Sequence, residues 1–131
     1  MIESAEEFIA LRSSDIKSEY DRSAIEEAPL DVWLDVLKKY PSYGRWVAHN
    51  KTVPLEILEA LCAFDEMTRA CVASKRKLSY ALFDRLSRDA SRTVRVAIAA
   101  NRKAPADILE RLLKDTDEGV IRIARYNVNE R

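Results

Sequence analysis

One imidazole, two thiols and a recurring run of cations are the side chains here whose type and spacing could do chemistry. His49 stands next to Asn50, and Cys62 and Cys71 are nine residues apart. A histidine and a cysteine can form a nucleophilic pair only where the fold brings them within hydrogen-bond reach. His49, however, closes a segment of helical spacing, where a cation interacts favourably with the helix dipole. That position reads as a surface or capping residue. Two cysteines at this spacing make neither a disulfide framework nor a zinc site, and they read as reduced core cysteines. The sequence has no glycine-rich phosphate loop, no nucleophile elbow and no histidine-carboxylate metal spacing. It therefore suggests no catalytic, cofactor or metal site, and the expectation is a protein that is not an enzyme.

The cations suggest binding instead. Lys51, then Lys75-Arg76-Lys77, then Arg102-Lys103 hold the same place in successive similar segments. If those segments stack, the charges line one edge and could meet phosphates or an acidic protein surface. No aromatic residues interleave with them and the net charge is zero, which argues against a stacking platform for single strands. Net neutrality hides a division, since residues 1 to 36 carry ten acidic and three basic side chains, a balance of −7 that leaves +7 for the rest. Glu19, Glu26 and Glu27 in this acidic part are candidates for docking a basic protein. Trp33, Tyr40, Tyr43 and Trp46 cluster further on; they read as buried filler, and any exposed one becomes a candidate anchor.

The elements that must position these residues repeat. Thr93 to Asp115 reads as a short helix ending near Asn101, a basic connection, and a second helix opened by Pro105. Ile108, Leu109, Leu112 and Leu113 share one face of that second helix at 3.6 residues per turn. The segment Val47 to Pro54, with Ile57, Leu58 and Leu61, matches Val72 to Ser79, with Leu82, Phe83 and Leu86, at an offset of 25. The latter matches Ile98 to Pro105, with Ile108, Leu109 and Leu112, at 26. A poorer copy runs from Ala28 through Trp33, Leu34 and Leu37, and Ile121 to Ala124 starts a truncated one. Such self-similarity is the mark of stacked repeats with atypical ends. Ala48, Ala73 and Ala99 recur where first helices must approach closely. Asn50 and Asn101 are expected as left-handed helix caps. The acidic turns at Asp65-Glu66, Asp89 and Asp115 to Glu118 are expected to meet Arg69, Arg95 and Arg122 of neighbouring units. Ahead of the repeats, Ser4 and Glu7 fit a capping box. Phe8, Ile9 and Leu11 would form one helix face, and Ile16, Tyr20, Ala24 and Ala28 a second.

The pattern Val94-Arg95, Ala99, Asn101, Pro105, Leu109, Leu112 and Asp115 resembles the leucine-rich repeat variant, a relative of HEAT and armadillo repeats, over roughly residues 28 to 127. This resemblance implies an all-α, right-handed α-solenoid of about four hairpins of 24–26 residues. It also implies one domain over 1-131, with a helical cap at 1-28 and repeats at 29-127. The best-known variant protein carries an iron-sulfur module, but two cysteines fall short of the usual four thiolates, so no cofactor is carried over. In size and segregated charge the chain is also similar to small α-solenoid immunity proteins of bacterial toxin systems. These are cytoplasmic inhibitors that cover a toxin domain, often a nuclease. That likeness implies a protein partner. Nucleic acid bound along the basic edge, as some HEAT-like repair proteins bind a duplex, is the alternative expectation, and a scaffold subunit of a larger complex is the third. No charged segment followed by an apolar run opens the chain, and no stretch approaches the roughly 20 apolar residues of a membrane span. A cytoplasmic protein is expected.

Overall fold

The computed structural model describes residues 1–131 and consists of ten α-helices, one 3-10 turn and no strand. Two units divide the chain, Met1–Phe64 and Asp65–Arg131. The first contains α1 (Ala5–Ser13), α2 (Lys17–Ile25), α3 (Leu30–Lys39), the 3-10 turn Pro41–Tyr43, α4 (Gly44–His49) and α5 (Leu55–Leu61). The second contains α6 (Glu66–Ala73), α7 (Tyr80–Ser87), α8 (Arg92–Ala100), α9 (Ala106–Leu112) and α10 (Glu118–Asn129). Isolated helices shorter than about 12 residues are marginal in water. Nearly all of these are shorter than that, so packing of their apolar faces must hold them.

In the second unit α8 lies against α6 on one side and α10 on the other, while α7 packs on α8 and α9, and α9 on α10. The buried faces are Val72 and Ala73, then Val94, Ile98 and Ala99, then Val120 and Ala124. Leu82, Phe83, Leu86, Ile108, Leu109 and Leu112 complete this core. Apart from α9, which opens behind Pro105, helix starts in this unit are closed by a side chain one residue ahead of the helix. Ser79 accepts from Leu82 N, Ser91 from Thr93 N and Asp117 from Val120 N. Two bidentate pairs brace the hairpins: Arg69 with Asp89, and Arg95 with Asp115, each with its shortest N–O distance at 2.9 Å. Each arginine pairs with the carboxylate of the turn that ends its own hairpin rather than with one of a neighbouring unit as expected, although Arg95 Nη1 also donates back to Asp89 O at 2.8 Å and Ala90 O at 3.1 Å in the preceding turn. Arg122 makes no ion pair and is exposed. The register that places Asn127 at the position of Asn101 puts Ile121, not Arg122, at that of Arg95.

In the first unit Phe8 meets Trp33 edge to face at 5.2 Å. Ile2, Ala5, Leu11, Val36, Val47, Ile57 and Leu61 are buried with them. The Ser4 hydroxyl accepts from Glu7 N at 3.0 Å, and the Glu7 carboxylate accepts from Glu3 N at 2.7 Å. The expected box thus forms with its return bond one residue earlier. Two apolar expectations change. The core face of α3 runs through Val32, Trp33 and Val36, leaving Leu34 48% exposed. Ile16 and Tyr20 are exposed as well, and the buried residue of α2 is Ser23.

Ser23 reveals why. It stands 25 residues before Ala48, which stands 25 before Ala73 and 51 before Ala99, and all four are buried. A small side chain is required at this place, and α2 therefore carries the register of the later first helices although its apolar pattern does not. The asparagines enforce that register. No residue has a positive φ, and Asn50 and Asn101 are extended at φ −62° and −72°, so neither is a left-handed cap. Their side chains turn inward instead. Asn50 Nδ2 donates to Ser23 O at 2.9 Å and Glu26 O at 3.0 Å. Asn101 Nδ2 donates to Ala73 O at 2.9 Å and Lys75 O at 2.7 Å. Asn127 Nδ2 donates to Ala99 O at 2.8 Å and Asn101 O at 2.9 Å.

Replacing Asn101 by Ala removes both bonds from a buried position and should cost about 1–3 kcal/mol, read as a lower urea midpoint at unchanged slope. At Gly44 an added Cβ would lie 2.7 Å from the Phe64 ring. Gly44→Ala should therefore overpack the contact of α4 with Phe64, by about 1–3 kcal/mol in the same experiment.

Candidate functional site

The basic connections are shaped by the same asparagines. Asn101 Oδ1 accepts from Lys103 N at 2.9 Å, and Asn50 Oδ1 from Thr52 N at 2.8 Å. Each carboxamide thus closes a turn in its own connection, as short polar side chains readily do, while its amide group ties that turn to the preceding segment. In the second unit the consequence is a row. The connection at 75–77, the connection at 101–103 and the end of α10 are each one hydrogen bond from the next. Arg131 extends it by donating to Arg102 O at 3.1 Å. Arg76, Lys77, Arg102 and Lys103 are exposed and form no ion pair, and Lys75 is half-buried. Because these connections are joined one to the next, their cations share one edge of the unit and form a basic patch. Lys51 belongs to the first unit, where its N–H donates to Ala24 O at 2.8 Å and its side chain is exposed.

The aromatic residues of the first unit serve three different ends. Trp33 is core. Tyr40 and Tyr43 latch α1: Tyr40 Oη donates to Glu6 at 2.8 Å, and Tyr43 Oη lies 3.1 Å from Ser13 Oγ. The Tyr40 bond holds the Glu6 carboxyl below its ordinary range and raises the phenol above its own. Trp46 remains half-buried and carries cations. The Arg12 guanidinium lies 3.5 Å from its ring centroid and that of Arg45 4.6 Å. The His49 ring stands edge-on at 6.3 Å, and Arg12 also lies 4.3 Å from the Tyr20 ring. Sequence spacing gave no sign of this group, because Arg12 and Tyr20 come from two other helices.

The acidic candidates divide too. Glu26 pairs with Arg22 and, at 3.1 Å, with the terminal amine. Those two partners, Arg22 first, pull its carboxyl down to about 2. Glu19 accepts from Ser14 Oγ at 2.9 Å. Glu27, Asp15 and Asp31 are exposed and form no ion pair. Cys62 is buried, with its thiol donating to Leu58 O, and Cys71 is half-buried. No group of three or more histidine, cysteine or acidic side chains is placed to hold a metal ion. No helix is long and apolar enough to cross a membrane.

No protein-family model, curated protein or solved structure matches this chain.

Asp117 gives a pH signature. Its bond from Arg92, then that from Val120 N, lowers its carboxyl from 3.8 to about 2. A carboxyl depressed by folding stabilises the protein above its unfolded value, and the contribution is lost as pH falls through the folded one. Asp117 and Glu26 should therefore lower the thermal midpoint progressively between about pH 4.5 and pH 2. Arg92→Gln should flatten that decline in melts followed by circular dichroism.

Proposed function

We propose that this chain is a non-enzymatic α-solenoid of stacked hairpins that binds a protein. Specifically, we propose an immunity protein that covers a cognate bacterial toxin domain in the cytoplasm, a nuclease being the kind of target its charge suits. The reading rests on the likeness to such inhibitors and on how the polar side chains are used. The buried asparagines and the Arg69 and Arg95 pairs are consumed in holding hairpins together, whereas Asp15, Glu27 and Asp31 face outward without counter-ions. Inhibition is by occlusion: exposed carboxylates enter a groove built for a nucleic-acid backbone and keep the substrate out. Charged rims of this kind act mainly on the rate of encounter.

Co-expression with the cognate toxin should protect cells. Charge reversal at Glu27 and Asp31 together should slow association and weaken protection while helicity stays unchanged. Native co-purification that returns no toxin domain, or protection that survives the double reversal, contradicts the reading.

A second reading has its own support in the row formed by 75–77, 101–103 and Arg131. On this reading the patch binds a nucleic-acid duplex through its phosphates. Phosphate contacts release counter-ions, so affinity would fall steeply with salt. Absence of binding to a duplex at low ionic strength removes this option.

A further inference from the structure

The guanidiniums on Trp46 lack what guanidiniums in folded proteins usually have. Residues 1 to 36 supply ten carboxylates, and ion pairs form at Arg22, Lys17 and Lys39. None forms at Arg12 or Arg45. The Arg12 side chain makes no hydrogen bond, and its Nε is buried without a partner. Two like charges against one indole, one of them partly withdrawn from water, are held by stacking alone. That arrangement is complete only when an anion joins it.

Geometry narrows the anion. With Nε enclosed between the rings, the edge of Arg12 that carries its two terminal nitrogens is the one open to a ligand. A planar edge with two parallel N–H donors matches the two oxygens of a carboxylate. A phosphate could use the same donors, but nucleic acid would bring bases that need aromatic faces to stack on. Here Arg12 lies over both Trp46 and Tyr20, and Arg45 over Trp46. Tyr20, on α2, borders the group and is itself exposed. Aromatic and arginine side chains are the residues most enriched in protein–protein hot spots.

We infer that Arg12 and Arg45, stacked on Trp46, form a receptor for an aspartate or glutamate side chain of a protein partner, which deepens the protein-binding reading above and depends on it. The stacking fixes the fork before the partner arrives, so little ordering is left for the encounter. His49 borders the same indole and Tyr20 closes the far side of Arg12.

The full chain, labelled with nitrogen-15, can be titrated in turn with a hexa-aspartate peptide, inorganic phosphate and a hexauridylate. The peptide should shift the Trp46 indole and Arg12 Nε resonances saturably. Arg12→Lys keeps the charge but loses the planar fork, and Arg45→Gln changes an exposed residue that should not disturb folding. Each should weaken peptide binding roughly tenfold. Tighter binding of phosphate or hexauridylate at these two resonances would overturn the inference in favour of a phosphate site. Shifts confined to 75–77 and 101–103, or unchanged affinity in a folded Arg45→Gln variant, would overturn it outright. The two readings fail separately. A toxin domain captured equally by wild type and by both variants removes the receptor and keeps the function. Peptide binding at Trp46 with no toxin domain co-purifying does the reverse.

Discussion

A buried carboxamide that donates twice to the preceding segment of backbone is the interaction on which the hairpins depend. Asparagine is suited to it by length and by its mixed inventory: two N–H donors and one acceptor on a single short stem. At position 101 the donors meet Ala73 O and Lys75 O while the oxygen accepts from Lys103 N. At position 127 the donors meet Ala99 O and Asn101 O while Oδ1 accepts from Arg131. Aspartate would set acceptors against acceptors, and alanine would leave carbonyls without these donors. Hydrophobic contact holds helices together with little regard for sliding, whereas these bonds fix the connections at 50–52 and 101–103 and the end of α10 each to one position on the preceding segment. The small residues Ser23, Ala48, Ala73 and Ala99 belong to the same constraint, because the backbones must come close for so short a side chain to reach.

This explains which parts of the molecule the sequence makes legible. The second helices are clear from Ile57, Leu58 and Leu61, Leu82, Phe83 and Leu86, and Ile108, Leu109 and Leu112, whose spacing identifies a face by itself. Every one of these is buried. The recurrence of asparagine is equally visible, but its role is not. A sequence shows that a position repeats, not what it reaches across space, so a local cap was the natural expectation and a long-range tether the outcome. The same limit hides α2, where Ser23 keeps the register although Ile16 and Tyr20 suggest a different face. It also misplaces Arg122, since a one-residue difference in register exchanges an ion-pairing position for an exposed one.

The candidate surfaces were legible in unequal measure. Lys75, Arg76, Lys77, Arg102 and Lys103 can be found by repetition alone, and the tether confirms that their connections are neighbours within the second unit. Among the aromatic residues, Trp33, Tyr40 and Tyr43 have packing or latching duties. Trp46 instead carries two cations on its ring, and Arg12 and the Tyr20 ring on its other side lie on helices far from Trp46 in sequence. Carboxylates tied into pairs, such as Glu26 and Asp117, are part of the framework. Those without partners are what another molecule can meet. The division between consumed and unconsumed charge, rather than net charge, sets the surfaces available for binding.

Hydrogen exchange of the side-chain carboxamides, followed by nuclear magnetic resonance, tests the tether most directly. If the tether holds, the Nδ2 protons of Asn50, Asn101 and Asn127 exchange far more slowly than those of exposed Asn129 in the same spectrum. Exchange of Asn101 and Asn127 at the rate of Asn129 would mean that these side chains do not join the hairpins, and the structural account would fail with them.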